Sequence, residues 1–349
     1  YGTQSTVSNR NYDFGGDVST SYYKNGLANS KLTWERTQEF NIGLDFGFFR
    51  NRINGSLDVY QRTSKDLIME RQLPSTTGWT SVWDNIGKVR NTGLELSINT
   101  INVQTSDFSW QTNIIFDTNK NEILELYGGK KDDIGNKWFI GEAINVNYDY
   151  EFDGIWQTSE ADKAAIYGQT PGQVKVKDQN HDNVIDAKDK VILGQQLPKW
   201  TGSITNTFTY KNWDLAFNVY TRQGAQLNST FVSSFMAYDG NYNQAKVDYW
   251  TETNPTNKYP QPGNKGKYFS SMCYQDVSFV RVGYITLGYT FPMSLLKPIG
   301  IKRLKLYATA NNPFLFTSFK GFDPEWATQN TWGEATSTRT FLFGVKLAF

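Results

Sequence analysis

The last ten residues, TFLFGVKLAF (Thr340–Phe349), alternate between two kinds of side chain. Large apolar groups occupy every second position, at Phe341, Phe343, Val345, Leu347 and Phe349. The side chains between them are mixed and mostly small or polar. Alternation with a period of two predicts a β-strand with one apolar face. A terminal strand whose final residue is aromatic must place that ring against something other than water.

The same alternation recurs along the chain. Residues 200–210 put only hydroxyl side chains on one face, and on the other they put Trp200, Gly202, Ile204, Asn206, Phe208 and Tyr210. We count about nine such stretches, at residues 40–48, 53–62, 94–100, 108–117, 200–210, 213–222, 277–291, 303–311 and 340–349. Strands of about ten residues are long enough to cross a bilayer at a tilt.

Composition favours an all-β protein and excludes several other classes. The chain has 349 residues and a net charge of +1, which gives no indication of a nucleic-acid partner. Mean hydropathy is -0.55, and no apolar run approaches the roughly 18 residues of a transmembrane helix. Aromatic residues are abundant, with 20 Tyr, 23 Phe and 11 Trp, and they favour strands.

The connections between the predicted strands alternate in length. Short connections occur at residues 50–51, 102–106, 211–212 and 292–301, and long ones near residues 63–89, 119–199, 223–276 and 312–339. In an up-and-down antiparallel sheet, this alternation places all tight turns at one end and all long loops at the other. Outer-membrane barrels have this asymmetry, with short periplasmic turns and long extracellular loops. The pattern predicts a transmembrane antiparallel β-barrel, with a large soluble β-sandwich or propeller as the alternative.

In a barrel, the terminal strand presents Phe341, Phe343, Val345 and Leu347 to outer-membrane lipid and places Phe349 at the periplasmic interface. An aromatic girdle is expected at the short-turn end, formed by Tyr210, Trp213, Tyr289 and Phe291. Because a free strand edge cannot remain in lipid, further strands must complete the barrel. The sequence starts YGTQSTVSNR without an initiating Met, so we expect residues 1–349 to be the C-terminal part of the barrel domain of a longer chain.

The long segment 119–199 contains an acidic motif, DQNHDNVIDAKD, at residues 178–189. Oxygen donors occupy the spacing of an EF-hand calcium loop: Asp178, Asn180, Asp182, the carbonyl of Val184, Asp186 and Asp189. Two residues depart from the pattern, since Asn183 stands where Gly is usual and Asp189 stands where Glu is usual. The motif predicts a structural Ca²⁺ site on an extracellular loop, with a solvated acidic turn as the alternative.

No catalytic residues are predicted, and we do not expect an enzyme. His181 is the only histidine, so neither a Ser-His-Asp arrangement nor a His-based zinc site can be built. Asp132 and Asp133 are more readily a solvated charge cluster than a glycosidase pair. Cys273 is the only cysteine and is interpreted as a bystander thiol. Aromatic residues also occur in the long segments, where they could stack on ligands or pack the loops together: Trp79, Trp83, Trp138, Trp156, Trp250, Tyr259, Trp326 and Trp332.

Several separated motifs resemble, in order, the C-terminal barrel half of the SusC/RagA family of TonB-dependent transporters. The resemblance extends from about Leu32 to Phe349. Its main motifs are LTWERTQEFNIGLDFGFFRNRINGSLDVYQRTSKDLI, WDNIGKVRNTGLEL, VGYITLGYTFP, ANNPFLFTSFKGFDPE and FLFGVKLAF. The resemblance implies a 22-stranded barrel in the bacterial outer membrane with a plugged lumen. The plug and the TonB-contacting segment belong to the N-terminal part in this family and are absent from this chain.

The resemblance also implies a function. Members import bulky nutrients, typically oligosaccharides or peptides, with a SusD-like lipoprotein as a lid and the TonB complex as the energy source. Two alternatives remain open at the level of sequence. One is a passive porin-like or structural or assembly barrel that has lost transport, and the other is a soluble glycan-binding β domain.

Overall fold

The computed structural model describes residues 7–238, 243–327 and 336–349, in which β-strands dominate. These residues form seventeen strands: β1 Val7–Phe14, β2 Asp17–Lys24, β3 Arg36–Phe48, β4 Ile53–Gln72, β5 Ser81–Gln104, β6 Phe108–Leu126, β7 Val146–Tyr150, β8 Phe152–Ile155, β9 Val174–Val176, β10 Lys190–Gln195, β11 Trp200–Tyr210, β12 Trp213–Gln223, β13 Gln226–Asn228, β14 Tyr274–Asp276, β15 Phe279–Thr290, β16 Arg303–Thr317 and β17 Thr340–Ala348. The prediction of an all-β protein is confirmed.

Nine of these strands form one sheet in the order β17-β16-β15-β12-β11-β6-β5-β4-β3. The nine are those predicted from alternation, and neighbours in the sheet follow one another along the chain except where loop strands intervene. The pairs β16 with β17, β15 with β16, β12 with β15, β11 with β12 and β6 with β11 are all antiparallel. The sheet is therefore an up-and-down meander, open at β17 and β3.

Strand ends show where alternation succeeds as a predictor and where it fails. β11 and β17 match the sequence prediction to within one residue. By contrast, β4, β5 and β6 have 20, 24 and 19 residues, so the predicted long connection 63–89 is wrong and only residues 73–80 join β4 to β5. Residues 119–126, predicted to open the long loop 119–199, lie in β6. In these extensions, polar and apolar residues occur on both faces of the strand. Backbone hydrogen bonding to the neighbouring strands therefore continues beyond the point at which the alternation ends.

The other eight strands form four two-stranded sheets, β1-β2, β7-β10, β8-β9 and β13-β14. Helical structure in the described residues is short. The helices are α1 Ala161–Ile166, α2 Thr230–Phe235 and α3 Met293–Leu296, and the 3₁₀ turns are Ser75–Thr77, Thr158–Glu160, Ala187–Asp189, Phe269–Cys273, Lys297–Ile299 and Pro324–Trp326. None of the described helices has the length and apolar character needed to cross a membrane.

The chain divides into two compact units, each with its own core. The first unit consists of Tyr1–Ile42, Asp58–Leu94 and Asn119–Asn145, and the second of Gly43–Leu57, Glu95–Thr118 and Val146–Phe349. In the first unit the core residues are Met69, Ile86, Val89, Ile123 and Leu126. In the second unit a larger cluster, called the loop core below, contains Ile155, Val174, Val176, Val232, Met236, Ala237, Trp250, Tyr268, Phe269 and Cys273.

Candidate functional site

The registers of the sheet separate an apolar face from a polar one. At the short-turn end a row of directly paired residues crosses six strands: Phe108, Tyr210, Trp213, Tyr289, Leu306 and Val345. The rings of Trp213 and Tyr289 lie 4.7 Å apart, and those of Tyr289 and Phe291 lie 5.1 Å apart. The four aromatic residues predicted for the girdle thus lie at one end of the sheet, in the arrangement that outer-membrane barrels use at the lipid–water interface.

The opposite face is hydrophilic. The Lys305 Nζ and the Asp214 Oδ1 lie 2.6 Å apart, the hydroxyls of Thr286 and Thr309 lie 2.9 Å apart, and Asn218 donates to Thr205 at 2.9 Å. At the short-turn end of β11, β12, β15 and β16, the side chains on this face alternate with those of the apolar row. A polar interior opposite an apolar exterior is typical of outer-membrane barrels.

The terminal strand β17 has the predicted apolar side chains on a single face. Phe341 pairs with Ala310, Phe343 with Ala308 and Val345 with Leu306. The four predicted lipid-facing side chains and Phe349 are all exposed, from 47% at Leu347 to 82% at Phe343. Their contact with lipid stays a prediction, because the polar side of this edge strand is largely exposed too.

Trp110 and Phe208 are paired on the apolar face, with their rings 5.6 Å apart. Next to them, a chain of hydrogen-bonded polar side chains interrupts this face. Asn206 accepts hydrogen bonds from the Trp110 indole at 2.8 Å and from the Thr112 hydroxyl at 2.7 Å, and Asn102 donates to Thr112 at 2.7 Å. Because these groups satisfy one another, they can lie on a face of otherwise apolar side chains at little cost. Alternation placed Asn206 on this face but gave no sign of its partners.

The acidic motif 178–189 forms a turn held by hydrogen bonds from backbone N–H groups to its own carboxylates. Asn183, at the position where Gly is usual, has φ of +64°, a left-handed conformation that Asn tolerates. The carboxylate of Asp178 accepts from the N–H groups of His181 at 2.7 Å and Asn183 at 2.9 Å. Burial by itself would raise the pKa of Asp178, but these N–H groups and the Tyr167 hydroxyl hold it below its ordinary value.

The end of the motif is tied to its beginning through a buried carboxylate. Asp189 is fully buried, and its two oxygens accept from the N–H groups of Gln179 and Asp186 at 2.9 and 2.8 Å. The Asp189 side chain therefore links Gln179, near the start of the motif, to Asp186, near its end. In the described part of the chain, no three His, Cys, Asp or Glu side chains are grouped closely enough to hold a metal ion. The Ca²⁺ site stays a prediction.

A buried ion cluster that alternation did not reveal holds the segment after β16. The guanidinium of Arg281, 2% exposed, lies 2.6 Å from the carboxylate of Asp323, 3% exposed. Asp323 also accepts from the N–H groups of Glu325 at 2.9 Å and Ser337 at 3.1 Å. Glu325 in turn accepts from the Tyr220 hydroxyl at 2.8 Å. The only sequence signal was a charged residue within the alternating stretch 277–291, followed later by the GFDPE motif.

Among the loop aromatics, the deeply buried ones pack rather than present a surface. Trp156 and Trp250 are 5% and 2% exposed, and their indole N–H groups donate to Gln169 at 2.9 Å and Gln157 at 3.0 Å. Trp83 and Trp326 are more open, at 45% and 39%. Trp332 lies outside the described residues. Packing of the loops is thus confirmed as the role of the buried indoles.

Two other predicted residue groups have structural surroundings. Asp132 accepts from the N–H of Ile140 at 2.8 Å, and Asp133 accepts from the N–H and side-chain amide of Asn136 at 3.0 and 2.9 Å, so both carboxylates form local hydrogen bonds. Cys273 is buried in the loop core, and burial raises the pKa of its thiol to about 12. A thiol with that pKa is not a nucleophile at neutral pH.

Comparison with known proteins gives a consistent group of relatives. The chain is 31% identical over 341 residues to TonB-dependent receptor P26 of Formosa agariphila, a match that covers 93% of this chain and 34% of the relative. It is 31% identical over 350 residues to TonB-dependent receptor SusC of Bacteroides thetaiotaomicron, covering 97% of this chain and 34% of SusC. The chain thus spans about a third of the length of these curated relatives.

Solved structures extend the comparison to the fold. The structure of the RagAB peptide transporter matches with a TM-score of 0.79 at 25% identity, covering 100% of this chain and 39% of that chain. The RagAB peptide importer in its open-open state matches with a TM-score of 0.75 at 26% identity, covering 100% of this chain and 38% of that chain. At this similarity the chain shares the fold of the matching part of these structures.

A family profile described as TonB dependent receptor-like, beta-barrel matches residues 1–312. The alternative interpretation as a soluble glycan-binding domain is wrong, because the family and the structural matches are outer-membrane barrels. The predicted resemblance to the SusC/RagA group and the predicted location are confirmed. The chain belongs to the SusC/RagA group of the TonB-dependent receptor-like β-barrel family and forms part of an outer-membrane β-barrel.

Proposed function

We propose that the chain forms barrel strands of an energy-dependent importer that carries oligosaccharides or peptides across the outer membrane. The observation that carries this proposal is the likeness of the whole chain to the RagAB peptide transporter, with a TM-score of 0.79. The polar face of the sheet adds support, because a lumen lined by hydroxyl, amide and charged side chains suits the passage of hydrophilic solutes. No catalytic step belongs to the proposal, since the relatives are receptors and transporters.

We further propose that the importer works with a SusD-like lipoprotein at the cell surface and with the TonB complex in the periplasm. The similarity to SusC supports this arrangement. The plug and the TonB-contacting segment would be supplied by an N-terminal part, as the resemblance implies. The connection from β6 to β11, residues 127–199, would form a large extracellular loop on the side of the lipoprotein.

We also propose that residues 178–189 bind Ca²⁺ and stiffen that loop. The donors of this segment are all oxygen atoms, which suits a hard cation such as Ca²⁺ and not Zn²⁺. Two structural features support the proposal. The backbone of Asn183 is left-handed, and the N–H of His181 holds the carboxylate of Asp178 in place. The metal has no role in transport chemistry, because it would act only by holding the loop.

The test is a native purification combined with an uptake measurement. The full-length protein would be solubilised in detergent, captured through an affinity tag and analysed by mass spectrometry for bound chains and small ligands. In parallel, a deletion strain carrying the gene would be compared with the same strain carrying a variant that cannot contact TonB. We expect a SusD-like lipoprotein to co-purify and uptake of the bound solute to require TonB contact.

The other outcomes distinguish the alternatives. Uptake that continues without TonB contact would indicate a passive porin-like channel. Recovery with assembly or secretion components and without a lipoprotein would indicate a barrel that has lost transport. An identified glycan or peptide would decide between the two proposed substrate classes.

A further inference from the structure

A cavity of about 630 Å³ lies within the second unit, next to the loop core. Small-molecule sites commonly have volumes of about 300–1,000 Å³, so the cavity can hold a short chain of atoms. Its apolar lining comes from Phe152, Val232, Met236, Val247, Tyr259 and Met272. The two methionines are unbranched and flexible, and such side chains adapt to ligands of different shape.

The charged lining of the cavity is unbalanced. Three lysines and one aspartate border it, Lys246, Lys258, Lys320 and Asp248. Lys258 is neutralised by Asp248, with the Nζ 3.0 Å from the carboxylate. Neither Lys246 nor Lys320 has an acidic side chain within 4.0 Å among residues 7–238, 243–327 and 336–349. Two ammonium groups at the cavity are therefore available to an anionic ligand.

A hydroxyl inside the cavity is also weakly satisfied. Tyr259 donates to the Met236 thioether at 3.3 Å, and a thioether sulfur is a poor acceptor. Burial raises the pKa of Tyr259, so the side chain stays a neutral donor near neutral pH. A carboxylate oxygen would accept this hydrogen bond better than the sulfur does.

From these three features we infer that the cavity binds an apolar chain that ends in a carboxylate. The methionine-rich lining takes the apolar part, and Lys246 and Lys320 pair with the carboxylate. An uncharged sugar would leave both ammonium groups unpaired and would bury hydroxyls against apolar side chains. Two sources supply this chemistry, the C-terminus of a short apolar peptide and a fatty acid.

As a capture site, the cavity would select apolar carboxylates for the proposed importer, and to that extent the inference rests on the proposed function. Binding itself is measured without uptake, so the two ideas can fail separately. A protein that binds the carboxylate but imports no peptide would overturn the import proposal alone. A protein that imports its nutrient but does not bind the carboxylate would overturn the inference about the cavity alone.

The test is calorimetric titration of the full-length protein, with its co-purifying partners, in lipid nanodiscs. The probes are N-acetyl-Leu-Leu with a free carboxylate, the same peptide as its C-terminal amide, N-acetyl-Gly-Gly with a free carboxylate, and octanoate. The variant K246Q/K320Q removes both cavity charges and should fold, because both lysines are exposed. The matched control is K130Q/K131Q, which removes two exposed lysines that do not line the cavity.

We expect the Leu-Leu acid to bind at least about tenfold more tightly than its amide, since a charge-assisted pair is lost in the amide. The Gly-Gly acid should bind more weakly than the Leu-Leu acid, and K246Q/K320Q should abolish the preference for acid over amide while K130Q/K131Q keeps it. Octanoate binding without peptide binding, with the same dependence on the two lysines, would identify the source as a fatty acid. Three results would overturn the inference. They are measurable binding of the Leu-Leu acid and its amide with equal affinity, an unchanged preference for the acid in K246Q/K320Q, and no binding of either the Leu-Leu acid or octanoate.

Discussion

The nine-stranded sheet and the loop core use apolar side chains in opposite ways. In the sheet, large apolar groups point outward, as at Phe343, 82% exposed, and Ile204, 45% exposed. In the loop core, Ile155 and Val174 are completely buried against protein. The apolar side chains of the sheet are exposed on the surface of this chain, whereas those of the loop core are buried against one another. The same residue type is therefore exposed on the protein in one region and packed against protein in the other, and the lipid contact predicted for the sheet would give it a different contribution to stability there.

The largest expected effect concerns the buried charges that hold the segment after β16 to the sheet, where Arg281 on β15 binds Asp323. We expect R281A to destabilise the protein by about 3–5 kcal/mol, because it leaves the buried Asp323 carboxylate without its partner. The free energy of unfolding would be measured by denaturant titration of the full-length protein in lipid vesicles. Limited proteolysis should show faster cleavage near residues 318–327.

The control for R281A is R222A. Arg222 also contacts an acidic residue of this segment, Glu325, at 3.1 Å, but its side chain is 49% exposed. An exposed pair contributes only about 0–1 kcal/mol, so R222A should leave stability and cleavage nearly unchanged. Equal effects of the two substitutions would mean that burial of Arg281 does not set its importance.

The second prediction contrasts the two kinds of apolar burial directly. I155A should cost about 2–5 kcal/mol, because it loses both the transfer energy of the removed carbons and the energy of the cavity left behind. I204A should cost less, because lipid chains fill the space that the smaller side chain leaves. The same denaturant titration in vesicles measures both. Equal costs at the two sites would show that Ile204 packs against protein and not against lipid.

The contrast also explains how much of the fold could be predicted from sequence. Strands such as β11 carry a period of two because one face meets an apolar medium and the other meets water. That pattern indicated all nine sheet strands and the girdle residues, whereas the family was indicated by the separate resemblance of several sequence motifs. It stopped at residue 62 of β4 and residue 117 of β6, where both faces become mixed although pairing continues to Gln72 and Leu126.

The loop regions could not be predicted in the same way. Their strands have as few as three residues, too short to show a period, and their contacts join distant parts of the chain. Trp156 and Gln169, or Arg281 and Asp323, come together only when the whole region has folded. The acidic motif at residues 178–189 was the exception, since its spacing was recognisable in the sequence and Asn183, at the position where Gly is usual, has a left-handed backbone.

The third prediction concerns that motif and is expected to be smaller. If Ca²⁺ binds residues 178–189, excess Ca²⁺ should stabilise the loop by about 2–3 kcal/mol at a hundredfold excess over the dissociation constant. D178N/D182N should remove this dependence, because two charged oxygen donors become amides. The control D162N changes an exposed aspartate of α1 outside the motif. Thermal unfolding with Ca²⁺ and with a chelator gives the measurement, and an equal response in D178N/D182N and wild type would contradict the site.

The smallest expected effect is a pH dependence at Asp323. Burial by itself would raise its pKa, but the N–H of Glu325, the guanidinium of Arg281 and the N–H of Ser337 together hold the pKa below the ordinary value of 3.8. A lowered carboxyl pKa gives stability that is complete above the unfolded pKa and is lost as the pH falls through the folded pKa. D323N cannot titrate, so the stability difference between wild type and D323N should be constant from neutral pH to about pH 5 and should narrow below about pH 4. Denaturant titrations of both proteins across this range measure the difference. A difference that stays constant into strong acid would mean that the carboxylate charge of Asp323 does not contribute, and that the segment is held to the sheet by packing alone.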